Sequence, residues 1–420
     1  MRMLTSASVF RLFAAAALLA LAASATPVTS SGQGGDWPQW RGPNRDGRSA
    51  ETGLLQSWPE GGPPLGWKAA GAGTGFSSMS TSGTRLFTMG ARDGAEYVMA
   101  FDRTTGKKLW ETQNGARFEN DRGSGPRGTP TVSGGRLYAF GASGDLTCLD
   151  PATGRKHWSV NVLRTFGGHN PRWGLSESPL VTGGRVLINA GGPGASIVAL
   201  DAKTGSVVWK SGSDAAAYSS AVLQKVGGIE QAVFFTASGA RGVDVRDGRE
   251  LWQYAPVANR VANAATPVVS GPHVFLSSDY GTGAALLRME AAGGGLAAHE
   301  VYFTREMRNH HSSSVLVGDH LYGFSSAILT AMRLADGEVA WRDRSVGKGS
   351  LVYADRRLYL LSENGVVGLA DADPKAYVER GRFTIETGQL STWAHPIVAG
   401  GMLYLRDQDS IYAYDVRDGQ

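Results

Sequence analysis

The stretch AFDRTTGKKLW at residues 100–110 sets a pattern that the chain repeats. It recurs as CLDPATGRKHW at residues 148–158 and as ALDAKTGSVVW at residues 199–209. The shared frame is small-x-Asp-x-x-Thr-Gly-x-x-x-Trp, and its aspartates, at 102, 150 and 201, are 48 and 51 residues apart. Recurrence at such a period indicates a repeat architecture in which one structural unit is copied along the chain.

Each conserved element of this docking motif has a physical role. The Asp carboxylate can accept backbone N–H groups across a tight turn, and the Gly adopts the positive φ that such a turn requires. The Trp offers a large apolar face that a neighbouring unit must cover. We therefore predict structural roles for Asp102, Gly106, Trp110, Asp150, Gly154, Trp158, Asp201, Gly205, Trp209, Trp252, Trp341 and Trp67.

Between the motif copies, short apolar segments alternate with glycine turns, and no stretch has helical periodicity. Four short strands in each unit predict the blades of an all-β propeller, each a four-stranded antiparallel sheet. Two units, the fifth and the seventh, lack the closing Trp. The last unit lacks a fourth strand, which the segment around Trp67 can supply, closing the ring. Eight units begin near Phe76, Pro126, Leu175, Tyr218, Asn263, Asn309, Lys348 and Trp393.

The N-terminus precedes this repeat array and has a different composition. Two arginines, an apolar run and Ala23-Ser24-Ala25 predict a signal peptide over residues 1–25. Residues 26–64 are predicted to be a linker and then a strap that begins at Asp36, and residues 65–420 to be one propeller domain. The strap contains Trp37 and Trp40, so we expect it to lie over an apolar surface; the alternative is a lid over a ligand.

Composition excludes several functional classes. A net charge of +4 in 420 residues provides no strong field for nucleic acid. The single cysteine, Cys148, rules out an intramolecular disulfide and occupies the small-residue position of the motif, which favours a buried structural role. No phosphate loop or nucleophile elbow is present. We expect a monomer that is periplasmic or secreted, with no transmembrane segment after the signal peptide.

The repeated Asp-x-x-Thr-Gly-x-x-x-Trp frame resembles that of the quinoprotein-like family of β-propeller repeats, named after pyrroloquinoline quinone (PQQ). The family includes PQQ-dependent alcohol dehydrogenases and BamB-type scaffolds of outer-membrane assembly. The resemblance covers residues 66–420. The segments Asp36–Gly47 and Asn309-His310-His311 are similar to those of a secreted bacterial group within the family. This resemblance implies an eight-bladed ring and leaves both enzyme and scaffold functions open.

The chain departs from both groups in the family. The alcohol dehydrogenases typically carry a disulfide between adjacent cysteines, which one cysteine cannot form, and we find no counterpart of their calcium ligands and catalytic aspartate. BamB-type proteins are usually lipid-anchored through an N-terminal cysteine, and Cys148 is far downstream. We therefore favour a non-catalytic scaffold that binds a small molecule, a glycan or a periplasmic or outer-membrane protein. The alternative is a minimal PQQ-dependent dehydrogenase with Ca²⁺.

Aligning the units on their glycine turns predicts where a site lies. One position holds hydroxyl residues in seven of the eight units, from Ser78 to Ser350, and His395 in the eighth; we expect this ring to be structural. Two residues earlier, on the same face of an extended strand, cationic and aromatic residues recur and predict a central funnel. The candidate ligand-binding residues are Arg127, Glu177, Tyr218, His311, Lys348, Trp393 and His395.

The residue types in this funnel suit particular ligands. Arg127 and Lys348 favour an anion, with bidentate geometry at the arginine, while Tyr218 and Trp393 offer faces for a planar ring or a sugar. PQQ and acidic glycans both match these features. We predict no metal site, because adjacent histidines on a strand, here His310 and His311, point to opposite faces. If the chain is an enzyme, Glu177 or an aspartate would serve as the base.

Overall fold

A computed structural model describes residues 35–419, which fall within one compact unit. The predicted signal peptide, residues 1–25, lies outside the described residues. Within the described part of the chain, no helix is long and apolar enough to cross a membrane.

The first half of the ring consists of four antiparallel blades of four strands each, and each blade is continuous in sequence. The chain first forms the separate strand β1 (Leu65–Ala69). Blade 1 contains β2 (Ser80–Ser82), β3 (Arg85–Arg92), β4 (Ala95–Asp102) and β5 (Lys108–Ala116). Blade 2 contains β6 (Thr131–Ser133), β7 (Arg136–Phe140), β8 (Asp145–Leu149) and β9 (Lys156–Asn161), followed by helix α1 (Val162–Phe166). Blade 3 contains β10 (Leu180–Thr182), β11 (Arg185–Gly192), β12 (Ala195–Asp201) and β13 (Val207–Ser211). Blade 4 contains β14 (Val222–Val226), β15 (Ile229–Phe235), β16 (Ala240–Asp244) and β17 (Glu250–Tyr254).

The second half repeats this arrangement and confirms the predicted count of eight blades. Blade 5 contains β18 (Val268–Ser270), β19 (His273–Ser278), β20 (Gly283–Ala292) and β21 (Gly295–Thr304). Blade 6 contains β22 (Val315–Val317), β23 (His320–Ser325), β24 (Ile328–Arg333) and β25 (Val339–Asp343). Blade 7 contains β26 (Gly349–Ala354), β27 (Arg357–Ser362), β28 (Val366–Asp371) and β29 (Glu379–Thr384). Blade 8 contains β30 (Ile397–Ala399), β31 (Met402–Asp407) and β32 (Ser410–Asp415).

The N-terminal strand closes the ring, as the sequence predicts. β1 pairs antiparallel with β32, with Trp67 opposite Ala413, and completes blade 8 as its outermost strand. The fully buried Arg406 of β31 joins blade 8 to blade 1, because its guanidinium donates to the carbonyl oxygens of Ser77 and Gly73. Pairing the two chain ends in one sheet leaves no free strand edge at the closure.

The Asp-Gly turns have the predicted hydrogen bonds. In the first copy, Asp102 Oδ1 accepts from the backbone N–H groups of Thr104 and Thr105 and from the Thr105 hydroxyl. The copies at Asp150 and Asp201 repeat all three contacts. These bonds to the charged carboxylate lower the pKa of each of the three aspartates.

Four of the six predicted docking tryptophans pack on the turn glycine of the following blade. Trp341 donates to the Asp373 carbonyl in the turn of blade 7, whereas Trp252, contrary to the prediction, donates to Gln231 Oε1 within its own blade. Trp110 of blade 1 lies over Gly154 of blade 2, where an added Cβ would come within 2.5 Å of the indole ring. Its Nε1 donates to the carbonyl oxygen of Pro151 in the same turn, at 3.2 Å. Trp67, Trp158 and Trp209 repeat the arrangement on the next blade's glycine. The motif glycine is therefore required both for its left-handed backbone and for the space that the indole occupies.

Two other aromatic residues replace the missing tryptophans. In blade 5, Tyr302 stands in the Trp position, packs over Gly337 and donates to the Leu334 carbonyl at 2.9 Å. In blade 7 that position is Gly381, and Trp58 of the strap packs against it from outside the repeat. Every blade thus keeps an aromatic contact at its outer strand.

The strap, residues 36–64, lies in part over an apolar surface, as expected: Trp37, Leu54 and Trp58 are buried in one hydrophobic cluster with residues of blades 1, 7 and 8. Its first part runs into the central channel on the side of the glycine turns and contacts the innermost strands. Arg41 and Arg45 are both buried and donate to carbonyl oxygens leading into blades 6 and 3. Neither guanidinium contacts a carboxylate, so backbone carbonyls replace the water that each lost. Further backbone or side-chain contacts extend to blades 1, 2, 5, 7 and 8.

Gly154→Ala should destabilise the protein more than Gly135→Ala, a matched control in the same blade. Both glycines have a left-handed backbone, with φ of 73° and 72°, but an added Cβ meets the Trp110 indole at Gly154 and nothing within 4 Å at Gly135. We expect about 1 kcal/mol for the backbone at either site and about 1–3 kcal/mol more at Gly154 for the displaced ring. Denaturant unfolding measures both; equal losses would contradict the docking role.

Candidate functional site

A cavity of about 520 Å³ lies at one end of the central channel, where the chain enters the first strand of each blade. The residues two positions before the hydroxyl ring line it in all eight units: Phe76, Arg127, Ser176, Tyr218, Ala264, His311, Lys348 and Trp393. They converge because each lies just before an inner strand, four residues before it in seven blades and directly before the longer β26 at Lys348. Further lining residues are Trp40, Arg122, Arg172, Trp173, Ser220, Val261, Ala262, Thr266, Tyr280, His310 and His395.

Six of the seven candidate ligand-binding residues therefore share one cavity. Glu177 does not line it. Residues alternate sides along an extended segment, so Glu177, between Ser176 and Ser178, turns away from the channel into the blade. There its Oε2 accepts the Asn189 backbone N–H at 2.6 Å, and only 1% of the residue is exposed. Glu177 is a buried structural carboxyl and cannot serve as a base for a ligand in the cavity.

Burial sets the protonation of Glu177. Desolvation raises its pKa to about 8, against the lowering effects of the Asn189 hydrogen bond and of the Arg45 charge. Its Oε1 has no hydrogen-bond partner among the described residues.

The hydroxyl ring is structural, as predicted. The backbone N–H of Thr129 donates to Ser178 Oγ, and that of Ser178 donates to Ser220 Oγ, both at 2.9 Å. Thr266 N–H and Ser313 Oγ form the same contact between blades 5 and 6. The hydroxyls of Ser178, Ser220 and Ser313 thus join neighbouring blades.

Three arginines lie on the blade 2 and blade 3 side of the cavity. The Arg127 guanidinium packs between the rings of Phe76 and Phe118, at 5.4 and 4.9 Å from their centres. It also donates to the carbonyl oxygens of its own loop, at Gly123 and Gly125. Arg127 is therefore fixed in position, and although burial lowers its pKa to about 10, it remains a cation at neutral pH. Arg122 and Arg172 are exposed at the mouth.

A cluster around Glu363 forms the opposite side. Glu363 Oε1 accepts from Trp393 Nε1 at 2.6 Å and pairs with Lys348 Nζ at 3.0 Å. The Trp393 ring lies between Phe76 and His311, with centres 5.0 and 5.6 Å away. The carboxylate thereby fixes the indole and balances the lysine charge, while Glu363 itself does not line the cavity.

Three histidines complete this side, and one expectation about them is wrong. His310 and His311 both face the cavity, with ring centres 5.7 Å apart, because residues 310–312 form a bend and not a strand. Burial is the main cause that lowers the pKa of both, and it lowers the pKa of His395 to about 3 with help from the Arg41 charge. All three imidazoles are neutral at physiological pH. Among residues 35–419, no group of three His, Cys, Asp or Glu side chains could hold a metal ion.

Sequence reasoning missed several wall residues. Trp40 belongs to the strap, outside the repeat alignment, and its Nε1 donates to Thr266 Oγ1 at 2.8 Å. Arg122, Trp173 and Tyr280 lie in loops of differing length, for which the repeat provides no alignment. One signal was available: Arg172-Trp173 lies in the long connection after blade 2, where an exposed cation beside an aromatic residue is unusual for a simple loop.

Glu177→Gln should change how stability depends on pH. The folded-state pKa of Glu177, about 8, is above the unfolded value of 4.5, so the native state binds more protons between these pH values. Its contribution to stability is present below pH 4.5 and is lost as the pH rises through 8. The glutamine variant, which cannot ionise, should gain about 2–4 kcal/mol relative to the wild type between pH 5 and pH 9. Urea unfolding at both pH values measures this; a constant difference would show that Glu177 ionises normally.

Comparison with known proteins agrees with this architecture. The sequence model of the family described as outer membrane protein assembly factor BamB matches residues 94–343. A search of curated protein sequences gives no significant match. BamB from Moraxella catarrhalis is a structural neighbour at 14% identity, with a TM-score of 0.59 over 85% of this chain and 98% of that one. A europium-containing methanol dehydrogenase aligns at 11% identity and a TM-score of 0.53, over 89% of this chain and 90% of that one.

A quinohemoprotein alcohol dehydrogenase from Pseudomonas putida HK5 aligns at 13% identity and a TM-score of 0.51, over 92% of this chain and 81% of that one. At these identities the structural neighbours establish the fold alone. The family model spans more than half of the sequence, and the chain therefore belongs to the BamB-like family of PQQ-repeat propellers.

Proposed function

We propose that this propeller is a non-catalytic binding protein of the periplasm or cell exterior, whose central cavity binds a small anionic molecule. One observation carries the proposal: the cavity wall contains three arginines, one lysine and three histidines, and no aspartate or glutamate. Positive side chains that line one cavity without carboxylates among them repel one another, and a bound anion would relieve this repulsion.

The charge balance around the cavity supports an anionic ligand. Lys348 is paired with Glu363, whereas Arg122, Arg127 and Arg172 form no ion pair with a carboxylate among residues 35–419. Two further cations, Arg41 and Arg45, are buried in the channel below and contact only carbonyl oxygens and the Gln39 amide. In a partly enclosed cavity their field is less screened than at the surface.

A PQQ-dependent dehydrogenase is the alternative function. The wall would accept a planar tricarboxylate, since arginines bind carboxylates and Trp393 offers a ring face. The calcium ion expected with that cofactor does not fit, because no acidic residue lines the cavity and Glu363 is held by Lys348 and Trp393. We therefore derive no catalytic step through a quinone and calcium pair.

Location and partners follow from other features. The predicted signal peptide and the BamB-like family, whose members are typically periplasmic, support export from the cytoplasm. An assembly role with another protein would use an outer surface and would not need a cationic, aromatic cavity, so we favour the small ligand.

Calorimetric titration with citrate, galacturonate, PQQ and the neutral sugar galactose tests this function. At least one anion should bind and galactose should not, with affinity falling as salt rises. Arg172→Glu should weaken binding about tenfold or more, since it puts a negative charge at the mouth. Arg164→Glu is the control, because Arg164 is exposed in the same connection but does not line the cavity. Equal affinities of the two variants, or no binding of any anion, would contradict the proposal.

A further inference from the structure

The cavity wall contains a second class of polar group besides its cations. Five hydroxyl side chains line it, those of Ser176, Tyr218, Ser220, Thr266 and Tyr280, together with the three neutral histidines. Hydroxyls both donate and accept hydrogen bonds, and so does a neutral imidazole, one nitrogen in each role. The hydroxyls already have partners within the protein, such as the Trp40 indole on Thr266 Oγ1 and the Ser178 N–H on Ser220 Oγ, but among the described residues His310 Nδ1 and both ring nitrogens of His311 have none. A ligand that carries several hydroxyl groups can satisfy these nitrogens, whereas a simple aromatic acid has too few polar groups to do so.

The strap supplies the floor of the cavity. Trp40 lines the cavity and lies at the level of the hydroxyl ring, because its Nε1 donates to Thr266 Oγ1 at 2.8 Å. Its ring also packs against His395, with centres 4.5 Å apart. On either side of it in sequence, Trp37 and Arg41 are buried and hydrogen-bonded to inner strands. The indole is therefore held in place before any ligand binds, which limits the entropy lost on binding.

We propose that the ligand is an acidic sugar, whose ring lies against the Trp40 indole and whose carboxylate points toward Arg127 and Arg172. This inference rests on the proposed function and specifies its ligand class. Sugar rings present C–H faces that pack on aromatic side chains, and the indole of Trp40 lines the cavity.

The distribution of groups around the ring orients this ligand. Arg122, Arg127 and Arg172 precede blades 2 and 3, whereas the histidines, Lys348 and Trp393 precede blades 6, 7 and 8 on the other side. Glu363, the partner of Lys348, lies between β27 and β28 of blade 7. The carboxylate belongs on the arginine side, where none of the three arginines forms an ion pair with a carboxylate among residues 35–419 and no acidic residue lines the cavity. The hydroxyl groups of the sugar belong on the side of the neutral imidazoles.

The size of the cavity limits the length of the sugar. A volume of about 520 Å³ equals roughly 17 water molecules at about 30 Å³ each. One or two sugar residues can fill such a space. Because the strap occupies the channel below, only the terminal residues of a longer oligosaccharide could enter the cavity. Trp40 thus determines how deep the ligand goes.

Titration of the full mature protein with matched ligands tests the inference. Digalacturonate and galacturonate are compared with galactose, which lacks the carboxylate, and with citrate and benzoate, which lack the sugar ring. We expect the acidic sugars to bind at least about tenfold more tightly than the other ligands, because only they satisfy both the arginines and the hydroxyl-rich wall.

Two substitutions test whether the sugar ring binds against the Trp40 indole. Trp40→Ala should weaken digalacturonate binding about tenfold or more, and Trp40→Phe, which keeps a ring face, should restore most of it. Trp158→Phe, an aromatic change at a docking contact outside the cavity, is the control for general destabilisation. Thermal unfolding of each variant shows whether it is folded at the titration temperature, and the Phe variant keeps the test valid if the Ala variant is not.

The outcomes separate this inference from the proposed function. If citrate or benzoate binds as tightly as the acidic sugars, or if Trp40→Ala binds digalacturonate like the wild type, the acidic-sugar inference is wrong and anion binding stands. If no anion binds, both are wrong.

Discussion

The contact between one blade's outer aromatic ring and the next blade's turn glycine is the interaction on which the ring depends. It combines burial of an indole face, a hydrogen bond from the indole nitrogen and a backbone that only glycine adopts easily, as at Trp110 and Gly154. The contact recurs at five of the eight blade junctions, and the outer strand β1 returns to blade 8 to close the ring. The inner strands then converge, and their arrangement creates the cavity.

The strap turns the resulting channel into a cavity with a floor. A propeller alone leaves an opening along its axis, lined here by hydroxyls that join the blades. The guanidinium groups of Arg41 and Arg45 donate hydrogen bonds to carbonyl oxygens at the inner strands on two sides of this opening. Trp40 lies above them at the cavity. The segment outside the repeats therefore both stabilises the ring and shapes the site.

Local sequence patterns were sufficient to predict much of the fold. The spacing of the Asp-Gly-Trp motif predicted the blades, and the period of two along extended segments predicted that Arg127, Tyr218, Lys348 and Trp393 meet. The same reasoning failed where contacts are long-range or the backbone is irregular. Trp58 fills the space at Gly381, which no alignment of repeats could indicate, and the bend at His310 placed two adjacent histidines in one cavity. Trp40 was missed because its contacts with the inner strands are also long-range.

The function that we propose depends on the side of the ring opposite the motif. The docking turns and the strap fix the geometry, while loops of differing length add the arginines and aromatic residues at the mouth. A crystal structure of the protein soaked with digalacturonate tests this account most directly. We predict difference density for a sugar ring within van der Waals contact of the Trp40 indole, with its carboxylate toward Arg127 or Arg172. Density confined to the face of the docking turns, with an empty central cavity, would contradict the account.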